Sequence, residues 1–250
     1  MILLGFIVYC LVLSIALRAK GLATPVAEGE RTPPSVERRV TRVLVIGATG
    51  GTGRQLVAQA LERGYDVTAL ARNPAALDLT HPRLRVVRGN VLDPASLDEA
   101  ARGQDAVLCA LGHKKFFPPN RILSEGTRNL VRAMETQHVD RLVCETALGL
   151  GDSAGRGGLY YTFFVIPVIL PAYFWDKTRQ ERLIAESRLE WIIVRPGSLT
   201  NGARRGSYRH GAGVGSFLWT VRISRADVAD FMLNQLTDDT YLRLAPGVSW

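Results

Sequence analysis

Apolar and polar positions along this chain fall into short runs that alternate in kind. Residues 43–46 read Val-Leu-Val-Ile, four apolar side chains of which three are β-branched, and predict a short buried strand. A helix is predicted over 54–63 and a second strand over 65–71. The same alternation continues with strands over 85–88, 105–111, 141–146 and 191–194 and helices over 94–102, 121–137 and 177–187. In the helix over 121–137, Leu123, Leu130, Val131 and Met134 fall near one face. Asp93 stands where it can cap the helix that Pro94 opens, and Ser224 caps a further helix through 236. Residues 241–244 are predicted to close the chain as a last strand. Alternating β and α elements of this length imply a mostly parallel sheet in one α/β domain, with helices on both faces.

The connection after the first strand carries the chemistry. It reads Gly47-Ala-Thr-Gly50-Gly-Thr-Gly53, with glycines three residues apart, between a strand and a helix. Such a turn aims the free N–H groups and positive dipole end of the helix at whatever sits over it, normally a pyrophosphate. Glycine is needed because a Cβ would block the tight turn, the approach of phosphate to backbone and close helix–strand packing. The expectation is a Rossmann-type doubly wound sheet that binds a dinucleotide where strand order reverses. The strand ends that should meet there are 47–53, Arg72, 90–93, 111–113, 146–148 and 195–197.

Charge and composition narrow the partners. The 250 residues carry 31 Lys and Arg against 23 Asp and Glu, a net charge of +8, with arginine dispersed along the chain. A dispersed basic surface suits an anionic cofactor or membrane face, and no zinc-finger spacing or aromatic RNA-binding signature points to nucleic acid. Cys10, Cys109 and Cys144 are too few and too scattered for a disulfide framework, and the last two lie in apolar runs. His81, His113, His138 and His210 have no metal-ligand spacing, so no metal site is expected.

Residues 1–17 contain no charged side chain and end at Arg18 and Lys20. As a helix they would rise about 25 Å, a little short of a hydrocarbon core of roughly 30 Å. A cleaved signal peptide would place its charge before the apolar run, not after it. The favoured reading of residues 1–20 is an uncleaved membrane anchor with the domain (41–250) on the cytoplasmic side, where Arg31, Arg38, Arg39 and Arg42 also lie. Export after signal cleavage is the alternative. Residues 21–40, with Pro25, Pro33 and Pro34, read as a flexible linker.

Within the predicted crevice, Arg72 takes the place at which an acidic residue would hold ribose hydroxyls, and its guanidinium suits a 2′-phosphate, so NADP is expected over NAD. Residues 90–93 could frame adenine, or Asp93 could serve only as the helix cap. Leu111 and Gly112 let backbone pass close to the cofactor, with His113 an exposed loop residue or a substrate contact. Tyr173 and Lys177 have the Tyr-x-x-x-Lys spacing of many reductases; on a helix they share a face, so Lys177 could lower the Tyr173 pKa or hold the cofactor ribose. Residues 159–175 form an apolar, aromatic run interrupted by Pro167 and Pro171, which argue against a spanning helix. This run is expected to act as an apolar substrate lid, with docking on the bilayer or core filling as alternatives.

Taken together, Gly47–Gly53, Ala71-Arg-Asn73, Gly103-Gln-Asp-Ala-Val107, Ser124-Glu-Gly-Thr-Arg-Asn129, Val194-Arg-Pro-Gly197 and Ile223-Ser-Arg-Ala-Asp-Val228 resemble the atypical short-chain dehydrogenase/reductase family, which includes flavin reductase/biliverdin-IXβ reductase and NmrA-like proteins. The resemblance covers roughly residues 41–246. It implies that Gly47, Thr49, Gly50, Thr52 and Gly53 hold the pyrophosphate and Arg72 the 2′-phosphate, with Asp93 beside adenine and Pro196 and Gly197 flanking nicotinamide. It also implies direct hydride transfer to a flavin-like acceptor, with solvent able to supply the proton. One departure stands out: the position after Thr146, serine in the flavin-reductase pattern, is Ala147, so the Ser–Tyr–Lys triad is incomplete unless Thr146 substitutes. The favoured function is an NADPH-dependent reductase of a planar apolar acceptor such as a flavin or quinone. A non-catalytic NADP-reading sensor or assembly factor, and an extended-type dehydrogenase or epimerase using Tyr173 and Lys177, are the alternatives.

Overall fold

A computed structural model of the chain describes residues 39–113 and 120–250. The apolar segment 1–20, nearly all of the linker 21–40 and Cys10 lie outside the described residues, and with them the expected anchor. Six strands run parallel at the centre of the fold: β1 (Arg42–Ile46), β2 (Asp66–Ala71), β3 (Leu84–Arg88), β4 (Ala106–Cys109), β5 (Arg141–Glu145) and β6 (Glu190–Pro196). The short strands β7 (Ser198–Thr200), β8 (Arg209–Gly211), β9 (Arg222–Ser224) and β10 (Gly247–Ser249) follow. The main sheet has the order β3-β2-β1-β4-β5-β6-β10-β8, and only the β10–β8 edge pair is antiparallel. Strands β7 and β9 pair separately. The order reverses between β1 and β4, and there the crevice opens.

Period-two alternation divides the core. Val43 and Val45 of β1 face a cluster under α1 (Gly51–Glu62) and α5 (Arg225–Asn234), while Leu44 and Ile46 face α2 (Pro94–Ala101), α3 (Ile122–Thr136) and α4 (Pro171–Ala185). Both faces are covered, so the central strands are apolar throughout and read as continuous hydrophobic runs.

The expected elements are present with three corrections. Residues 241–244 form a turn, not a strand: Arg243 has φ 57°, and Leu242 and Leu244 close back on Asp239 and Tyr241. The last strand is β10, beyond Pro246. The helix expected over 177–187 begins six residues earlier, with Pro171 at its first turn, where its missing N–H costs nothing. Before it, Tyr161–Ile169 winds as a π-helix that contains Pro167 and ends at Leu170, whose φ of −120° breaks the run. No helix among the described residues is long and apolar enough to cross a membrane.

Candidate active site

The crevice over the β1–β4 reversal has a volume of about 900 Å³. Its floor is the glycine turn. Gly47 takes φ +78°, Gly50 N–H donates to the Gly47 carbonyl at 2.9 Å, and Gly50 becomes the N-cap of α1 with no side chain capping the helix. The first-turn amides therefore face the crevice without a side-chain partner. A Cβ on Gly53 would overlap the Gly47 carbonyl, and one on Gly47 would overlap that of Ala110. A third constraint comes from Arg225, at the start of α5, whose side chain crosses the turn so closely that a Cβ on Gly51 would lie 2.6 Å from its Nε. Arg225 donates to Asn201 Oδ1 at 2.6 Å. Arg54 fixes the turn from the other side, donating to the Thr49 carbonyl at 3.1 Å and the Ala76 carbonyl at 2.6 Å.

The β2 and β3 ends supply Ala71, Arg72, Gly89, Asn90, Val91 and Leu92 to the crevice wall. Arg72 is exposed at its rim. The opposite wall is made where β4, β5 and α4 meet, from Leu111, Gly112, His113, Glu145, Thr146, Tyr173 and Lys177.

Successive residues of α4 go to separate places. Tyr173 lines the crevice, its ring edge-on to His113 with centroids 4.9 Å apart. Asp176, fully buried, accepts from the Leu123 N–H at 2.9 Å and from the Ser124 hydroxyl, closing the amino end of α3. Lys177, also buried, donates to the Glu145 carbonyl at 3.0 Å and the Leu111 carbonyl at 3.4 Å, tying together the ends of β5 and β4. Burial works against its charge, yet Tyr173, Cys144, Glu145 and Cys109 around it outweigh that and hold the ammonium above the ordinary lysine range. Nζ lies 5.8 Å from the centroid of the Tyr173 ring.

Glu145 accepts from the Thr52 hydroxyl at 3.0 Å, linking the end of β5 to the first turn of α1. Burial pushes its carboxyl up, and Lys177, Thr52 and Arg225 offset that only in part. It can therefore keep its proton to higher pH than an exposed glutamate. The Thr146 hydroxyl donates to Glu181 Oε1 at 2.6 Å. Glu181 in turn takes both arms of Arg195, Nε at 3.0 Å and Nη2 at 2.7 Å, and Arg195 also pairs with Asp152. Arg195 and Glu181 are almost fully buried. Burial again opposes the guanidinium's charge, but the two carboxylates hold it firmly ionised.

The crevice thus combines an amide-lined turn where a Cβ is excluded with a rim arginine and a buried polar wall, a set that fits an anionic dinucleotide. Comparison with known proteins bears on the same segment: the family described as NAD(P)H-binding matches residues 47–239. The chain belongs to that NAD(P)H-binding family. An uncharacterized chloroplastic protein of Arabidopsis thaliana is 32% identical over 178 residues, 68% of this chain and 63% of that one, so the chain spans less than two thirds of that relative's length. A 3-diazoavenalumate denitrifying reductase of Streptomyces is 32% identical over 209 residues, 71% of this chain and 67% of that one. A wide-type short-chain dehydrogenase/reductase of Veillonella parvula, solved in complex with NADP, superposes with a TM-score of 0.70 at 19% identity, covering 85% of this chain and 95% of that one.

In this NAD(P)H-binding chain the expected site residues divide. Gly47, Thr49, Gly50, Thr52, Arg72, Leu111, Gly112, Thr146, Tyr173 and Lys177 all line the crevice. Gly53 does not; it works by letting α1 pack against the turn. Asp93 takes the second of its two expected roles: it lies off the lining and accepts from the Ala95 N–H at 3.1 Å as the cap of α2, with Asn90 to Leu92 on the wall. Pro196 and Gly197 are not on the lining either: a Cβ on Gly197 would come 2.7 Å from the Val221 carbonyl, and Leu199 is the residue of this segment that lines the crevice. Glu145 and Arg225 went unassigned in the sequence. Arg225 sits within a motif already noted, and its arginine beside a helix start was the available signal. Nothing local marks Glu145, whose importance comes from Thr52, 93 positions away.

Proposed function

We propose that the chain is an NADPH-dependent reductase that delivers hydride to a planar apolar acceptor of the flavin or quinone class. One observation carries the reading: a glycine turn and a rim arginine suit NADPH, while at the lysine and serine positions of a carbonyl-reducing triad the groups present are engaged by other partners or missing. The Lys177 ammonium rests on two main-chain carbonyls and the Thr146 hydroxyl on Glu181, and Ala147 follows where a serine is expected. A reaction that needs positioning more than an acid suits such a wall.

When bound, reduced nicotinamide supplies a hydride, two electrons with one hydrogen, and the accompanying proton comes from solvent. The chain's own part is to bind, orient and exclude water. The amides of the 47–53 turn and Arg225 hold diphosphate, and Arg72 pairs with a 2′-phosphate. Lys177 fixes the ends of β4 and β5 so that Leu111, Gly112 and Thr146 keep one spacing. Tyr173, His113, Ile122 and Leu199 give the acceptor an apolar and aromatic bed. Full-length protein mixed with NADPH and a panel of flavins and quinones should show loss of the reduced-nicotinamide absorbance with at least one acceptor. Tight NADPH binding with no oxidation across the panel would favour the second reading, a non-catalytic NADP-reading sensor or assembly factor, for which the same incomplete triad also speaks. No heat with any nicotinamide dinucleotide in calorimetry would defeat both.

A further inference from the structure

Two segments far apart in sequence form one exposed apolar surface. The first runs from Leu159 through the π-helix to Trp175, and its outward side chains are Leu159, Tyr160, Phe163, Phe164, Ile169 and Trp175. The second is the tripeptide Phe217-Leu218-Trp219, with Trp219 75% exposed. The backbone joins them. Gly158 N–H donates to the Ser216 carbonyl at 2.8 Å and Ser216 N–H to the Arg156 carbonyl at 2.9 Å, with Gly157 and Ser216 bridged as in a parallel sheet. Gly158, at φ +89°, has no room for a Cβ against Trp219. Phe163 meets Phe217 edge-on at 6.4 Å, and Tyr160 stacks on Phe164 at 5.6 Å. A contiguous apolar surface held in shape by main-chain hydrogen bonds is a built feature, and one this aromatic costs solubility unless something covers it.

Charge identifies the cover. Residues 153–175 hold a single charged side chain, Arg156, and residues 210–224, which carry the tripeptide, hold only Arg222 and no carboxylate. Of the two carboxylates that flank the first segment, Asp152 is half-exposed but paired with the buried Arg195, and Asp176 is buried at the start of α3. Arg179 lies over the Trp175 ring, 3.5 Å from its centroid, an apolar–cationic pair suited to a boundary between hydrocarbon and phosphate. Exposed Trp, Tyr and Phe on a segment whose charged neighbours Arg156 and Arg179 are basic suit the headgroup layer of an anionic bilayer, where amphipathic rings settle and basic side chains are attracted.

We infer that this composite face docks on an anionic membrane surface, with Phe217, Leu218 and Trp219 entering the headgroup–acyl boundary beside the π-helix. The docking stands whether or not the chain reduces anything. It also places the outer side of α4 at the lipid while Tyr173, on the same helix, lines the crevice, a short route for an apolar molecule leaving the bilayer.

The test uses full-length protein reconstituted into vesicles of phosphatidylcholine with about one third phosphatidylglycerol, carrying lipids brominated near the headgroup. The readout is the quenching of tryptophan fluorescence in the parent and in Trp219→Phe, whose difference isolates Trp219 from Trp175, Trp191 and Trp250. Residues 1–17 are the same in both and cancel. The quenched fraction should fall about twofold or more in Trp219→Phe, and the Trp219 contribution should shrink in vesicles of phosphatidylcholine alone. Equal quenching in the two proteins would overturn the proposal, since Trp219 would then remain in water. A concentration-dependent dimer in light scattering that Phe217→Ser/Trp219→Ser abolishes, with no Trp219 quenching, would assign the face to a second copy and overturn it equally.

Discussion

The two ends of the crevice are built from different materials. At the β1–α1 end the working parts are main chain: unpartnered amides, a positive helix terminus, and glycines whose missing Cβ atoms leave the space. At the β5–α4 end they are buried side chains that hold one another, with Arg195 on Glu181 and Asp152, Thr146 on Glu181, Thr52 on Glu145, and Lys177 on two carbonyls. An amide cradle depends on chain geometry and tolerates almost no added atom. A buried ionic wall depends on mutual compensation, so it is costly to break singly and cheaper to replace as a unit. On the proposed reading, cofactor binding rests on the first end and the acceptor's reaction on the second.

The sharpest test of this contrast is Gly53→Val, which puts a branched side chain into the Gly47 carbonyl. NADPH affinity by calorimetry should fall by about 100-fold or more, equivalent to about 3 kcal/mol, or the domain should fail to fold. Near-parental affinity would mean that the turn does not carry the cofactor. At the other end, Arg195→Met should cost about 3–5 kcal/mol in denaturant unfolding because it strands Glu181, and adding Glu181→Leu should recover part of the loss. If the double variant is less stable than the single one, the wall is not a mutually compensated set.

Beyond the glycine turn, at the end of β2, stands Arg72. Arg72→Glu should weaken NADPH by about tenfold to 100-fold while changing NADH much less, as expected for one lost charge-assisted pair with phosphate. Equal losses for the two cofactors would remove the 2′-phosphate contact. At the acceptor wall, Tyr173→Phe and Thr146→Ala should leave kcat within about threefold if solvent provides the proton, whereas a drop of about 100-fold would make Tyr173 a general acid and favour the dehydrogenase reading. The smallest effect belongs outside the crevice. Asp105 accepts from the Thr41 and Arg42 N–H groups and the Arg42 guanidinium; burial works the other way, but these donors hold its carboxyl below the usual range. Its contribution is present above the carboxyl's unfolded pKa and is lost as pH falls through the lower folded value. Asp105→Asn should flatten the acid limb of a stability–pH profile and leave NADPH binding unchanged.

The same contrast explains what could be read in advance. The glycine turn, the strands of the parallel core and the caps Asp93 and Ser224 are local patterns, and the six core strands lie within two residues of their expected bounds. The adenine and nicotinamide roles of Asp93, Pro196 and Gly197 came from the family resemblance, and all three lie off the crevice lining, since nearness to a strand end does not place a residue on the wall. The roles of Glu145, Arg225 and the Phe217–Trp219 tripeptide depend on partners dozens of positions away, and no window of sequence contains both members. The closing strand was misplaced because Tyr241 and Leu242 look like strand residues while Arg243 takes a left-handed conformation.

One turn of α4 carries a further consequence. Trp175 stands at the outer surface, Asp176 seals the start of α3 and Lys177 fastens two strand ends. Three neighbours on a stiff rod cannot move separately. The exposed indole and the ammonium that ties the crevice wall together therefore ride on one rigid element, two residues apart.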